Sequence, residues 1–309
     1  MACQPGSTDR PDLLPRTGDV ACIAHRGFAG VSPENTRTAF ERAVDDATPH
    51  GRADAVELDV VPTADGEIVV FHDATLGRVT DAPPRLRDRP IWEIPFETLR
   101  RFDVLESGDP VPSLSDVLDL VPPDVGVNVE FKNPGTSAVE YGALDAETLS
   151  RGRERWRDFA ADVLSVLSAY PHDVLVSSFH EAAIAAVRDV DPSVPIATVF
   201  FDSIADGFRV ARRHDCEVIH APWNMVYGTS LFNEEYCSGP FEPIDLVEIA
   251  HDEGRAVNVW TVDSPRQAGQ LSRAGVDGLI ADYPGLLAPE GALDDAASDA
   301  AALEPIQLS

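Results

Sequence analysis

The strongest constraint on this chain is an alternation that recurs eight times: a short run rich in Val, Ile and Phe, then a stretch with helical spacing. The apolar runs lie at 20–25, 55–61, 125–132, 174–179, 195–200, 216–221, 256–261 and 278–281. Helical patterns at 36–47, 155–170, 181–190, 203–214 and 265–274 occupy intervals between them. Strands separated by helices pair in parallel, because each crossover carries the chain back to the same end of the sheet. Eight such units in roughly 270 residues suit an α/β fold of the TIM (β/α)₈ barrel type. A doubly wound sheet is the competitor, but it needs only six strands, and no Gly-rich dinucleotide loop is present.

One apolar run, 68–71, is left over, just beyond Asp65-Gly66. Asp-Gly between apolar runs signals a hairpin, which predicts an extra β-hairpin strand after the second barrel strand. A two-residue turn at this point would pair Asp59 with His72 and put Glu57 on the same face. Two acids on one face of a buried strand repel each other and are costly to desolvate unless arginines, solvent or a cation relieve them. Rim acids in a very acidic protein would give the same pattern. Glu130 shifts the balance, because it too lies at the carboxyl end of a strand, where barrel enzymes keep their active sites. Three carboxylates at one mouth make an all-oxygen site suited to Mg²⁺ or Ca²⁺ rather than Zn²⁺. His25 and His72, at strand ends on the same mouth, could supply an acid and a base. Arg26 and Lys132 add two cations within the ring of acids, which together with a divalent metal describe a phosphate site.

These residues fall into an ordered series of motifs: His25-Arg26-Gly27, Pro33-Glu34-Asn35-Thr36, Glu57-Leu58-Asp59-Val60, Asp65-Gly66, His72-Asp73 with Thr75-Leu76, Glu130-Phe131-Lys132, Ser177-Ser178-Phe179, Trp260-Thr261-Val262 and Asp277-Gly278-Leu279-Ile280-Ala281-Asp282-Tyr283-Pro284. From about Ala21 to Pro284 the chain resembles the glycerophosphodiester phosphodiesterase family. The resemblance implies a TIM barrel and metal-dependent hydrolysis of a small glycerophosphodiester to glycerol phosphate and an alcohol. By position, Glu57, Asp59 and Glu130 resemble the ligands of one hard divalent ion, Mg²⁺, Ca²⁺ or Mn²⁺. His25 and His72 resemble the acid/base pair, Arg26 and Lys132 the phosphate contacts, and Phe179 and Trp260 the lining of the glycerol pocket. The segment after His72 is expected to be short, without the inserted cap of some periplasmic members. Pro33-Glu34-Asn35-Thr36 reads either as the start of the first helix, capped by Ser32 or Asn35, or as support behind the site. The alternatives are another diester-cleaving barrel enzyme of the phospholipase or nuclease type, and a barrel that binds without turnover.

Composition narrows the setting. Fifty-three Asp and Glu against 24 basic residues give a formal charge of −29, and Lys132 is the single lysine among those 24. Such a surface opposes unspecific binding to nucleic acid or anionic membrane. The longest stretch without Asp, Glu, Lys or Arg is 16 residues, 218–233, too short and too polar to span a bilayer. The first residues carry no basic and apolar leader pattern, so a cytoplasmic location is expected. Four scattered cysteines without a CxxC pair suggest neither a zinc cage nor a disulfide framework. A flexible arm is expected at 1–17, the barrel domain at 18–287 and an acidic tail at 288–309. The aromatic loop 222–241 reads as a lid or an oligomer contact. The arginines at 151, 153, 155 and 157 read as a solvated cluster ahead of a helix.

Acid excess with almost no lysine points to a halophile's protein. Self-repulsion should fade as the Debye length shrinks from about 10 Å at 0.1 M salt to about 3 Å at 1 M. The melting temperature should therefore rise into molar salt. A higher value in dilute buffer removes the halophile reading while leaving the enzymatic one intact.

Overall fold

The computed structural model describes residues 20–233 and 245–287. The expected arm 1–17, the tail 288–309 and the end of the 222–241 loop lie outside the described residues. Among the described residues nine strands occur: β1 (Ala21–His25), β2 (Ala55–Pro62), β3 (Ile68–Val70), β4 (Gly126–Phe131), β5 (Val174–Ser178), β6 (Ile196–Val199), β7 (Val218–Pro222), β8 (Ala256–Val262) and β9 (Gly278–Ala281). All but β3 pair in parallel, and β1 pairs with both β2 and β9, so eight strands close a barrel. Closure removes sheet edges, and Val, Ile and Leu cover the outer faces where the helices pack. β3 stands outside the ring and pairs antiparallel with the end of β2, beyond the point where β1 stops.

The hairpin exists, but its register differs from the expected one. Val60 pairs with Val70, and the Phe71 amide donates to the Asp59 carbonyl, so Phe71 rather than His72 stands opposite Asp59. The turn uses three residues, Ala64, Asp65 and Gly66, closed by the Thr63 amide on the Glu67 carbonyl, with Gly66 at φ +85°. A three-residue loop ending in a left-handed glycine is the next most common hairpin after the two-residue kind, and Asp-Gly suits both. His72 is thus the first residue after the pleated pairing, and the loop it opens sets its direction.

Two further expectations change. The helix expected from 155 begins at Ala146, capped by Asp145, so the arginine cluster lies on the helix rather than ahead of it. Gly152 obscured this start, yet it allows the close packing of the helix Glu181–Val190; a Cβ there would meet the Ala182 Cβ at 2.7 Å. Arg151 and Arg153 pair with Glu147 and Asp189 on the surface, as a solvated face would. The segment after His72 is more than a short return. It folds into brief turns, including Pro84–Arg87, Ile91–Glu93 and Phe96–Leu99, around its own cluster of Leu76, Val79, Ile91, Ile94, Leu99 and Val104. Prolines at 83, 84, 90 and 95 break it into pieces too short to show helical periodicity.

Candidate active site

The site assembles at the carboxyl ends of β1, β2 and β4. His25 ends β1, and the next three residues turn with positive φ: Arg26 at 51°, Gly27 at 78° and Phe28 at 64°. Only Gly27 is at ease there, and its missing side chain lets the turn approach Ala39, where a Cβ would come within 2.7 Å. This turn brings the Arg26 amide onto Glu57, donating to its carbonyl at 3.0 Å and to Oε2 at 3.1 Å. Thr36, not Ser32 or Asn35, caps the helix Arg37–Ala43. Asn35 instead adopts φ 57° and donates from Nδ2 to Asp59 Oδ2 at 2.8 Å.

Glu57, Asp59 and Glu130 each offer an oxygen within 4.8 Å of the others, and the first two are almost wholly buried. Register explains the convergence, because Asp59 and Glu130 are paired neighbours on one interior face and Glu57 lies two residues before Asp59. Lys132 Nζ lies 2.5 Å from Glu130 Oε1 and 3.5 Å from Asp59 Oδ1, while Arg26 Nε lies 3.2 Å from Asp59 Oδ2. Two cations thus face three acids. Glu57 Oε1 and Asp59 Oδ1 are buried and make no hydrogen bond among the described residues, the latter having only the longer ion pair to Lys132. Exposed acid clusters need no ion, but buried carboxylate oxygens without donors suit a hard cation.

Burial is the largest influence on each of these groups, and their neighbours decide the outcome. For Glu57, burial reinforced by Asp59 and Glu130 pushes the carboxyl well above its usual range, against Arg26 and Lys132. For Asp59, burial acts upward but Arg26 and Lys132 outweigh it and hold the acid well below that range. For Lys132, burial acts downward, and Glu130 with Asp59 reverse it, so the ammonium holds its proton more tightly than in water.

Both candidate histidines are anchored through Nδ1: His25 on Asp282 Oδ1 at 2.6 Å and His72 on Asp73 Oδ1 at 2.7 Å. An ionised carboxylate can only accept, so Nδ1 carries the proton and Nε2 is left for exchange. His25 Nε2 lies 4.0 Å from Glu57 Oε2. Arg78 bridges Asp73 to Glu34, and Glu34 in turn accepts from Arg26, which links His72 to Arg26 through one polar chain. Asp73, Asp282 and Arg78 escaped sequence reasoning as site residues. Asp73 directly follows His72, and that adjacency was its available signal, whereas Asp282 lies 257 residues from His25 and only the closed barrel brings the two together. Arg78 carried none.

The remaining candidates meet at the same mouth. Lys132 Nζ lies 5.5 Å from the centre of the Phe179 ring, which stands edge-on to Trp260 at 5.4 Å. Beside them opens a cleft of about 480 Å³ bounded by His72, Asp73, Lys132, Tyr141, Phe179 and Phe201. A larger hollow of about 1380 Å³, beside Val20, Tyr227 and the helix Pro265–Arg273, contains none of these side chains.

Residues 25–286 match the model of the glycerophosphoryl diester phosphodiesterase family. A glycerophosphodiester phosphodiesterase of Caldanaerobacter subterraneus subsp. tengcongensis is 30% identical over 268 residues, covering 85% of this chain and 93% of its own. One from Bacillus altitudinis is 29% identical over 273 residues, covering 85% and 94%. Among solved structures, an Oleispira antarctica phosphodiesterase in complex with the product sn-glycerol-3-phosphate superposes with a TM-score of 0.66 at 24% identity, over 91% of this chain and 97% of its own.

Proposed function

The chain belongs to the glycerophosphoryl diester phosphodiesterase family, and from that premise we propose that Glu57, Asp59 and Glu130 hold one hard divalent cation between His25 and His72, which exchange protons with a bound glycerophosphodiester. The enzyme is a phosphoric diester hydrolase, and its net reaction adds water across a P–O bond to give glycerol phosphate and an alcohol. One observation supports the site assignment: three carboxylates, two of them buried with an oxygen that makes no hydrogen bond among the described residues, converge at the mouth that also carries two carboxylate-anchored imidazoles.

When bound, Mg²⁺, Ca²⁺ or Mn²⁺ supplies Lewis-acid neutralisation of charge developing on the phosphoryl oxygens. The chain does the rest. Arg26 and Lys132 attract the diester anion into an otherwise acidic mouth and fix its orientation. One imidazole takes the proton of the attacking oxygen at Nε2, and the other returns a proton to the departing alkoxide. Asp282 and Asp73 hold the rings in the required tautomer and steady the imidazolium as it forms. Phe179 and Trp260 cover the apolar edge of the glycerol, and the cleft beside His72 and Phe201 has room for a small alcohol group.

A non-catalytic barrel would have no need to keep all seven chemical groups at one mouth. A polyanionic nucleic acid is opposed by the −29 charge. No helix among the described residues is long and apolar enough to cross a membrane. The acidic composition supports a salt-rich cytoplasm as the setting. The direct test is turnover of glycerophosphocholine, glycerophosphoethanolamine and bis(p-nitrophenyl) phosphate, with and without chelator. No turnover of either glycerol diester by metal-loaded enzyme overturns the substrate assignment.

Lys132 offers a sharper check. Lys132→Arg keeps the charge but replaces a compact ammonium by a longer planar fork, which cannot meet Glu130, Asp59 and a phosphate oxygen from the same position. A charged hydrogen bond contributes roughly 1.5–3 kcal/mol, so kcat/KM should fall on the order of 10–100-fold. Unchanged kinetics in Lys132→Arg remove the phosphate role.

A further inference from the structure

Side chains inside a TIM barrel stack in layers drawn from alternate strands, and bulky branched residues usually fill them. Stepping one residue per strand around the tilted ring, the pairing register puts Ile23, Asn128, Ala197 and Asn258 in one layer. Glu57, Ser177, His220 and Ile280 form the layer above it, and His25, Glu130, Val199 and Trp260 the next. The two lower layers are unusually polar for a barrel core. Asn128, Ser177, His220 and Asn258 are each about 1% exposed. Asn258 Nδ2 meets His220 Nε2 at 3.1 Å, but Asn258 Oδ1, Ser177 Oγ and both polar atoms of Asn128 have no hydrogen-bond partner among the described residues.

Leaving four buried polar atoms unsatisfied is costly, and native interiors meet such groups with ordered water wherever space allows. Small residues lighten these layers and let the amides in. Ala197 shares the Asn128 layer, and a Cβ on Gly278 would come within 2.4 Å of Asn258 Oδ1. The ligand must be neutral, because no ionised group faces Asn128 and Asn258 within their own layer, and burial pushes His220 down to about 3. Register also sets Asn128 beside Glu57 and Ser177 beside Glu130.

We propose that Asn128, Ser177 and Asn258 hold ordered water inside the barrel, beside and beneath Glu57 and beneath Glu130, and that this water positions the two carboxylates for the cation. The positioning role rests on the metal reading given above; the hydration does not. Groups that orient ligands from behind typically change metal affinity by 10–100-fold when removed. Asn128→Leu, branched alike at Cγ but apolar and bulkier, should weaken Mn²⁺ binding by about that factor in a direct titration, with the circular dichroism spectrum unchanged. Ser177→Ala deletes one oxygen beside Glu130, is expected to fold, and should weaken Mn²⁺ binding in the same direction. High-resolution diffraction from the wild type should show water within hydrogen-bond reach of all three side chains. A purely structural role would lower the melting temperature and leave Mn²⁺ affinity where it was. Unchanged affinity in the variants, or a dry layer, overturns the proposal. A wild type that binds no Mn²⁺ overturns the metal reading and the positioning role together, while diffraction still decides the hydration.

Discussion

Stripping the enzyme with excess EDTA should abolish turnover, and Mg²⁺, Ca²⁺ or Mn²⁺ should restore it. The size of the effect follows from the chemistry. A Lewis acid at a phosphoryl oxygen provides several kcal/mol of transition-state stabilisation, so the loss should be on the order of 10³-fold or more. The donors are all oxygen, which makes restoration by hard cations the expected order of preference. Stability offers an independent reading, because a ligand that binds only the native state at 100 times its Kd adds about 2.7 kcal/mol. The melting temperature should climb with added metal. Glu57→Gln separates this centre from an ordinary salt-bridge network. Burial, Asp59 and Glu130 all disfavour its charge, so removing that charge should leave metal-free stability unchanged or raised. Metal affinity and turnover should both collapse. Lower metal-free stability with metal affinity retained would make Glu57 a partner for Arg26 instead. Full activity in excess EDTA ends the metal assignment altogether.

The barrel was legible because its signal is redundant. Eight apolar runs separated by helical spacing leave few architectures, and an error of one or two residues at any strand end does not alter the count. The hairpin shows where that redundancy stops. Asp65-Gly66 marked the turn, yet a two-residue and a three-residue loop share that dipeptide, and the difference moves every opposed pair by one. The closeness of Glu57, Asp59 and Glu130 survived this because it rests on the parallel pairing of β2 with β4 rather than on the turn. His72 still lines the cleft with Lys132, but as a loop residue tied to Asp73 and Arg78. Arg78 illustrates the wider limit: it contacts Glu34, 44 residues away, and only the folded satellite between β3 and β4 brings the two together. The polar layers under the mouth were hidden for a related reason. Asn128, Ser177, His220 and Asn258 come from four separate strands, and only the stagger of the closed ring stacks them.

Replacing either histidine by alanine should reduce kcat by roughly 10²–10⁴-fold on a natural glycerophosphodiester, the usual reach of a positioned acid or base. What distinguishes the two is the leaving group. An alkoxide departs poorly without a proton, whereas a nitrophenolate departs readily. The variant lacking the general acid should therefore recover most of its rate on a nitrophenyl diester, and the variant lacking the general base should not. The geometry treats the rings almost symmetrically, each with Nδ1 on a carboxylate, so this substrate contrast identifies the roles where distance does not. The anchors extend the test. Asp282→Asn and Asp73→Asn keep the size of the side chain but remove the charge that steadies an imidazolium and let the ring take the wrong tautomer. Each should reproduce a milder form of the defect of its own histidine, including its response to the nitrophenyl substrate. If His25→Ala and His72→Ala lose the same factor on both substrates, the two rings do not divide the proton transfers. If Asp282→Asn follows the pattern of His72 rather than that of His25, the anchoring through Nδ1 is not what couples these carboxylates to the reaction.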